Sequence, residues 1–566
     1  MTAASQTLAP QPIEAPSEFP VTWDQPGDEM LFWEQDRSHA SRQLAPLEYE
    51  LMFDNFMRGM TFAFHHYGVP IQTVRSRRIN TYFYSATVPE LGPREEMAAK
   101  QAQAEQNVGR AMASVGKLWR DELLPEIQRH LDVMASRDVA MLTDADLHGV
   151  LEDTIDRGRR LAEIHMQIVF PAYLAISEFE ELYNELFSPD DKFEAHRLLQ
   201  GLPNKTVEFG HELWKLSRSA RWSPGVMEVL EREPADRVVE ALRRAHGGRP
   251  FLAELTAYLQ EYGHRASIWG LAGKTWIEDP TPVIKNLKDY VQQPDSESPV
   301  RELERLAAER EEAIAAARER LAGYPGPVRD QFELMLKAAQ EGIVISEDHG
   351  FYIDSAGLAQ IRRVLLEAGR RLAIAAAINQ HEDVFMLTAK ELLDGLADPA
   401  ASEYIDTVAE RHDEMERYAD ITPPPALGSM PPGPPPESAM TRLMVKFSGA
   451  PVVPSESPSE VRGSAGSSGK VVGIARVVDS LEDAGRIQPG EILVAPTTAP
   501  PWTPLFASVA AVVTDSGGML SHCAVVAREY AIPAVVGTGN ATSAIADGQT
   551  IEVDGDEGVV RIIDSQ

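Results

Sequence analysis

Residues 514–530 read TDSGGMLSHCAVVAREY, and this stretch decides how the chain is to be understood. An apolar run, VAAVVTD at 509–515, ends where Gly517 and Gly518 begin. Adjacent glycines permit backbone angles and close approaches that side chains forbid. Ser521 is a natural helix N-cap, so His522 falls in the first turn of the apolar helix that follows. Unpaired N–H groups and the positive end of the helix dipole favour an anion there. The same field disfavours imidazolium and leaves a neutral, nucleophilic ring. This setting suits a histidine that carries a phosphoryl group. Spacing alone leaves a second reading open, a histidine that caps or packs a helix start. Cys523, the one cysteine of the chain, reads as a small buried side chain.

Around this loop the code is short and β-branched: KVVGIARVV at 470–478, EILVAP at 491–496, PAVVGTG at 533–539, TIEVDG at 550–555 and GVVRII at 558–563. Turn residues separate the runs, and one helix from Ser521 to about Tyr530 interrupts them, which predicts a compact α/β domain over 463–566. Upstream, ITPPPALGSMPPGPPPESAM at 421–440 is too rich in proline for regular structure, and 421–462 reads as an extended Pro/Ser-rich linker. Before it, 19–420 is patterned as helix. In VRELERLAAEREEAIAAARERLAG at 300–323 apolar residues recur near 3.6 spacing and Gly323 stands at the stop. IRRVLLEAGRRLAIAAAI at 361–378 behaves in the same way. Residues 1–18 read as a flexible tail. The fold class is therefore multidomain: a large, mainly α-helical domain, a linker, and a small α/β domain.

The chain has 566 residues and a formal net charge of -33, which argues against holding a nucleic-acid backbone. No apolar run reaches the roughly 20 residues needed to span a bilayer, so no membrane partner is expected. The start lacks a basic n-region followed by an apolar stretch, and with a single cysteine a reducing cytoplasm fits best.

The segments GSAGSSGKVVGIARVV, GEILVAPTTAPPWTPLF, TDSGGMLSHCAVVAREYAIPAVVGTGNAT and DGQTIEVDGDEGVVRII together resemble the swivelling phosphohistidine domain of phosphoenolpyruvate-utilising enzymes and dikinases. The resemblance implies that His522 is the phosphorylated residue and that Thr514, Gly517, Gly518 and Ser521 shape its phosphate loop. In that family ATP becomes AMP and inorganic phosphate while the histidine takes the β-phosphoryl group. No Gly-rich, lysine-bearing nucleotide site is legible in the helical part, and no segment answers to a pyruvate-binding barrel. ATP and Mg²⁺ are accordingly expected on a separate ATP-grasp partner subunit.

The helical part resembles the acceptor domain of rifampin phosphotransferase and of phenylphosphate synthase-type enzymes through PVTWDQPGDEMLFWEQDRSHASRQLAPLEYELM at 20–52, YLQEYGHRASIWGLAGKTWIEDP at 258–280, SEDHGFYID at 346–354 and HEDVFMLTAKELLDGL at 381–396. Ser346 and Gly350 stand where rifampin-type enzymes carry Arg and Lys, so a small phenolic hydroxyl is preferred to a rifamycin as acceptor. His349, beside Glu347 and Asp348, is the expected general base for that hydroxyl. His264 and Arg265 are candidates to contact the transferred group, and Arg75, Arg77 and Arg78 to dock a phosphate or a partner. His65, His66, His165 and His211 show no metal-ligand spacing, and no metal is assigned. The alternatives are a rifamycin phosphotransferase and a non-enzymatic phosphohistidine regulator with the helices as a docking surface.

Overall fold

The computed structural model describes residues 11–563, apart from 38, 41, 267, 432, 434–438, 450–456, 458, 480–482 and 499. It consists of a large helical body carrying a five-stranded sheet, and a small α/β unit built on an eight-stranded sheet.

The helical body is organised by α1, Asp144–Phe187, a 44-residue helix whose buried face runs almost its full length. Thr143 caps it by accepting from the Asp146 amide. Pro171 lies inside α1 and has no N–H to give the carbonyl of Gln167. The buried Tyr67 hydroxyl donates to that carbonyl at 2.6 Å, so the helix continues without an orphaned acceptor. α2 (Lys205–Ala220) packs on α3 (Gly326–His349), which together with α4 (Leu358–Ile374) packs against α1. Between α3 and α4 the chain winds as a π-helix over Gly350–Gly357. The helix expected over 300–323 is present as Pro299–Arg320.

The five-stranded sheet was not legible from the pattern, which reads as helix throughout 19–420. Its order is Gln11–Ile13, Ala426–Met430, Phe32–Gln35, Tyr82–Pro89, Ile71–Ile79, antiparallel at every pairing. Asn80 and Thr81, both at positive φ, turn the Ile71–Ile79/Tyr82–Pro89 hairpin, the conformation that matches strand twist. This sheet corrects two expectations. Residues 11–18 are not a free tail: Gln11–Ile13 pairs with Ala426–Met430, and Phe19 is fully buried. The first part of the Pro-rich linker is pinned to the sheet, since the Pro424 carbonyl accepts from the Tyr84 hydroxyl and the Pro425 carbonyl from the Gln35 amide. Further along it, α5 (Ala439–Ser448) is a helix packed on α1, and Lys446 pairs with Glu180 and Glu181. The end of the expected tether is also structured, since Glu460–Arg462 is an edge strand paired with Val559–Ile562 of the small unit, while 432, 434–438, 450–456 and 458 lie outside the described residues. Arg75, Arg77 and Arg78 are held in ion pairs with Asp28, Asp24 and Glu414 and serve the sheet.

In the small unit each of the six apolar runs forms a strand. Lys470–Val477, Ile492–Ala495, Ala511–Thr514 and Ala534–Val536 lie side by side in parallel, extended by antiparallel edges. Ala511–Thr514 is buried along its whole length, as a strand covered on both faces must be. From its carboxyl end the chain enters the Gly-Gly loop and then α6, His522–Glu529. Loops at the carboxyl ends of parallel strands are where open α/β sheets hold ligands.

Candidate functional site

The loop folds as its sequence requires. Gly517 has φ +107, and a Cβ on it would meet Ser521 Oγ at 2.9 Å. A Cβ on Gly518 would meet the Lys446 carbonyl oxygen at 2.3 Å. The Gly518 and Leu520 amides donate to the Phe447 and Lys446 carbonyls, so the end of α5 lies directly on the loop. Thr514 is fully buried and its hydroxyl donates to the Ser516 carbonyl. Ser521 caps α6 by accepting from the Ala524 amide at 3.4 Å. His522 therefore opens the helix. Cys523 behind it is buried, and burial pushes its thiol up to about 11, which keeps it inert.

His522 faces the helical body. Its Nδ1 lies 3.5 Å from Oε1 of the buried Glu347 near the end of α3. Glu347 Oε2 accepts from the Thr206 hydroxyl at 2.8 Å. Burial pushes the Glu347 carboxyl up, but His522, Thr206 and Arg265 together outweigh this and hold it below the usual carboxylate range. Arg265, 3% exposed, donates from Nη2 to the Thr206 oxygen, while its Nε and Nη1 are buried with no hydrogen-bond partner among the described residues. A buried guanidinium with two unmatched N–H groups, close enough to Glu347 to stabilise its charge, has donors to offer an anion.

The amino end of α2 completes the site. Asn204, its N-cap, accepts from the Val207 amide and donates from Nδ2 to Glu529 Oε1 at 2.8 Å, and the Lys205 amide donates to Asp348 Oδ1 at 2.8 Å. Three acidic side chains, Glu347, Asp348 and Glu529, thus converge on one helix start. Burial raises Asp348 to about 6. Burial, and then the charge of Glu347, raise Glu529 to about 8.

Of the residues expected to act together, the structure brings His522, Glu347 and Arg265 to one place and joins Asp348 to its rim. His349 does not join them. Two residues apart on an α-helix point about 200° apart, so Glu347 and His349 occupy opposite faces of α3. His349 is buried, its Nδ1 donates to the Ile345 carbonyl at 2.8 Å, and burial together with nearby His165 lowers it to about 4. A ring so weakly basic is a poor general base at neutral pH, and the carboxylate at His522 is Glu347. His264 lines a separate cleft with Trp269, Asp354, Ser355, Leu358 and Arg362. Burial lowers its basicity.

Sequence reasoning missed Asn204, Thr206 and Glu529. A helix start at Asn204 is readable from NKTVE, but the chain positions it joins are 143 and 325 residues away.

Residues 165–347 match the rifampicin phosphotransferase fourth domain, and residues 487–558 match the mobile domain of PEP-utilising enzymes. The chain is 40% identical over 559 residues to chondramide synthase from Chondromyces crocatus, covering 97% of this chain and 14% of that protein. It is 30% identical over 404 residues to an uncharacterized phosphotransferase of Bacillus subtilis, covering 71% of this chain and 47% of that protein. It is 30% identical over 433 residues to the rifampicin phosphotransferase of Streptomyces sviceus, covering 75% and 48%. The chain thus spans less than half the length of each. Glu347 lies at the last residue of the first matched domain and His522 within the second, so the contact between them joins the two matched parts. The chain belongs to the PEP-utilising, dikinase-type family, in which it pairs a rifampicin phosphotransferase fourth domain with a PEP-utilising mobile domain.

Proposed function

We propose that the chain is the carrier and acceptor part of a phosphotransferase, in which His522 takes a phosphoryl group and passes it to a hydroxyl of a small aromatic compound. The observation that carries this reading is the placement of His522, at a helix start and 3.5 Å from Glu347 in the opposing domain. With Nδ1–H directed at Glu347, the lone pair is on Nε2, which makes Nε2 the nucleophile. Phosphorylation places two negative charges near Glu347. The unmatched N–H groups of Arg265 and the amino end of α6 are the compensating donors.

In the delivery step the acceptor oxygen attacks phosphorus, the P–N bond breaks, and its electron pair returns to Nε2. The hydroxyl proton is released to solvent, while Glu347, on the Nδ1 side of the ring, keeps the Nδ1 proton in place. Dividing the reaction between two local displacements replaces one transfer across a distance. ATP and Mg²⁺ belong to the loading step, on an ATP-grasp unit outside these residues, where the metal neutralises the phosphates.

A phenol is the preferred acceptor because Ser346 and Gly350 offer no cationic pair for a larger anionic ligand. A rifamycin hydroxyl is the second reading, favoured by the rifampicin phosphotransferases among the relatives.

The test is a chase. The protein is phosphorylated with phosphoramidate, or with β-labelled ATP and an ATP-grasp unit, and acid-labile label is mapped. The expected result is label on His522, absent in His522→Asn, that moves to phenols on addition. Label that moves only to rifamycins selects the second reading. Label that never leaves the protein supports a regulator, and absence of label from His522 overturns the carrier.

A further inference from the structure

On the face of α3 opposite Glu347, three side chains distant in sequence meet: His165 of α1, His349 at the end of α3, and Asp354 of the π-helical turn. One donor atom from each lies within 4.8 Å of the others. We propose that His165, His349 and Asp354 form a binding site for a divalent transition-metal ion of the zinc class, held by two imidazoles and one carboxylate.

The first argument is geometric. His165 Nδ1 is 3.0 Å from Asp354 Oδ1, and His349 Nε2 is 4.0 Å from Asp354 Oδ2. Ligands at about 2.1 Å from a tetrahedral ion stand about 3.4 Å apart, so these separations need only small adjustment. The second is the state of the donors. His165 Nδ1 and Asp354 Oδ1 face each other without hydrogen-bond alignment, and both are buried with no hydrogen-bond partner among the described residues. Two orphaned polar atoms in one place are costly unless a shared ion satisfies them.

The third argument is orientation. His349 donates Nδ1–H to the Ile345 carbonyl at 2.8 Å, which fixes the tautomer and leaves the Nε2 lone pair on the side of Asp354. A backbone carbonyl in this position is the usual outer partner of a metal-binding histidine. The ring of Phe56 stands edge-on to His165 at 4.7 Å between centroids and gives the site an apolar wall. The chain path itself serves the site. In regular α geometry residues five apart point about 140° apart. The π-helix over Gly350–Gly357, with its i to i+5 bonding, brings Asp354 round toward the face of His349.

Two imidazoles and one carboxylate suit Zn²⁺, Fe²⁺ or Mn²⁺, whereas Mg²⁺ and Ca²⁺ favour all-oxygen shells. Three protein ligands leave a further position open, and Asp354 also borders the small cleft with His264 and Trp269, so a water-sized ligand can complete the shell.

The test uses the full chain, stripped with a chelator and titrated with Co²⁺ as the only ligand. The expected result is a single equivalent with tetrahedral or five-coordinate ligand-field absorption, displaced by Zn²⁺ and not by millimolar Mg²⁺. His165→Gln and Asp354→Asn should each weaken uptake at least tenfold and abolish the rise in melting midpoint that Zn²⁺ gives the wild type. If one variant does not fold, the other decides. No stoichiometric uptake, uptake unchanged in the folded variants, or displacement by Mg²⁺ overturns the site. None of these measurements involves phosphoryl transfer, so their failure leaves the reading of His522 standing.

Discussion

Glu347 Oε1 lies 3.5 Å from His522 Nδ1, across the boundary between the helical body and the small α/β unit. The pair orients the ring and holds the proton on Nδ1 while Nε2 reacts. Removing the charge while keeping the shape separates these duties from folding. Glu347→Gln is expected to leave His522 open to phosphorylation by phosphoramidate and to slow the chase to acceptor by about 10–100-fold, as loss of a histidine's orienting partner does. Single-turnover decay of labelled protein, with and without acceptor, measures it. Equal chase rates in variant and wild type would remove Glu347 from the transfer step.

Gly518 controls how α5 sits on the loop. A methyl group there would fall 2.3 Å from the Lys446 carbonyl oxygen and 2.9 Å from the Gly449 nitrogen, both backbone atoms that cannot swing aside. Gly518→Ala is expected to separate the loop from α5 and lower stability by about 1–3 kcal/mol, as overpacking does. Loss of the protection from hydrogen exchange at the Gly518 and Leu520 amides, which now donate to Phe447 and Lys446, reports it residue by residue.

The small unit was almost wholly legible because its code is local. Strands buried on both faces read as continuous apolar runs, and a cap serine after paired glycines marks one helix start. Thr514, Gly517, Gly518 and Ser521 could be placed from neighbours a few positions away. The five-stranded sheet was hidden because Ile71–Ile79 alternates charge with small residues, and its arginines find acids at Asp24, Asp28 and Glu414 that no local pattern announces. The site failed to read for the same reason. Asn204 meets Glu529, and Glu347 meets His522, only through the docking of two domains, and the helical face of Glu347 excludes His349 by a rotation that residue order does not display. His165 and Asp354 are 189 positions apart, so no spacing rule could join them.

Inside α1, Tyr67 stands in for the N–H that Pro171 lacks. Tyr67→Phe leaves the Gln167 carbonyl buried without its donor while keeping the ring, which is 3% exposed. The expected loss is about 1–3 kcal/mol, the penalty for a buried acceptor left unmatched. It should appear as a lower denaturant midpoint with an unchanged slope. A double variant with Pro171→Ala, which restores the backbone donor, should recover most of the loss, whereas a purely packing role for Tyr67 predicts no recovery.

Glu529 makes docking depend on pH. Its carboxyl is buried against Asn204 of the helical body, and burial beside Glu347 raises it from an ordinary 4.5 to about 8. Between these values the docked form keeps the proton that a separated or unfolded form has already lost. The docked state therefore binds more protons, and its stability falls as pH rises through this window, by up to about 1.4 kcal/mol per unit. The contribution is fully present below about 4.5 and is lost by the time pH passes about 8. Donor and acceptor labels on the two units should show separation increasing from pH 5 to 8, with proton release from the docked form. Glu529→Gln, neutral at every pH and able to keep the Asn204 contact through its carbonyl oxygen, should flatten that dependence. A variant whose separation rises with pH as steeply as the wild type would assign the effect to another group.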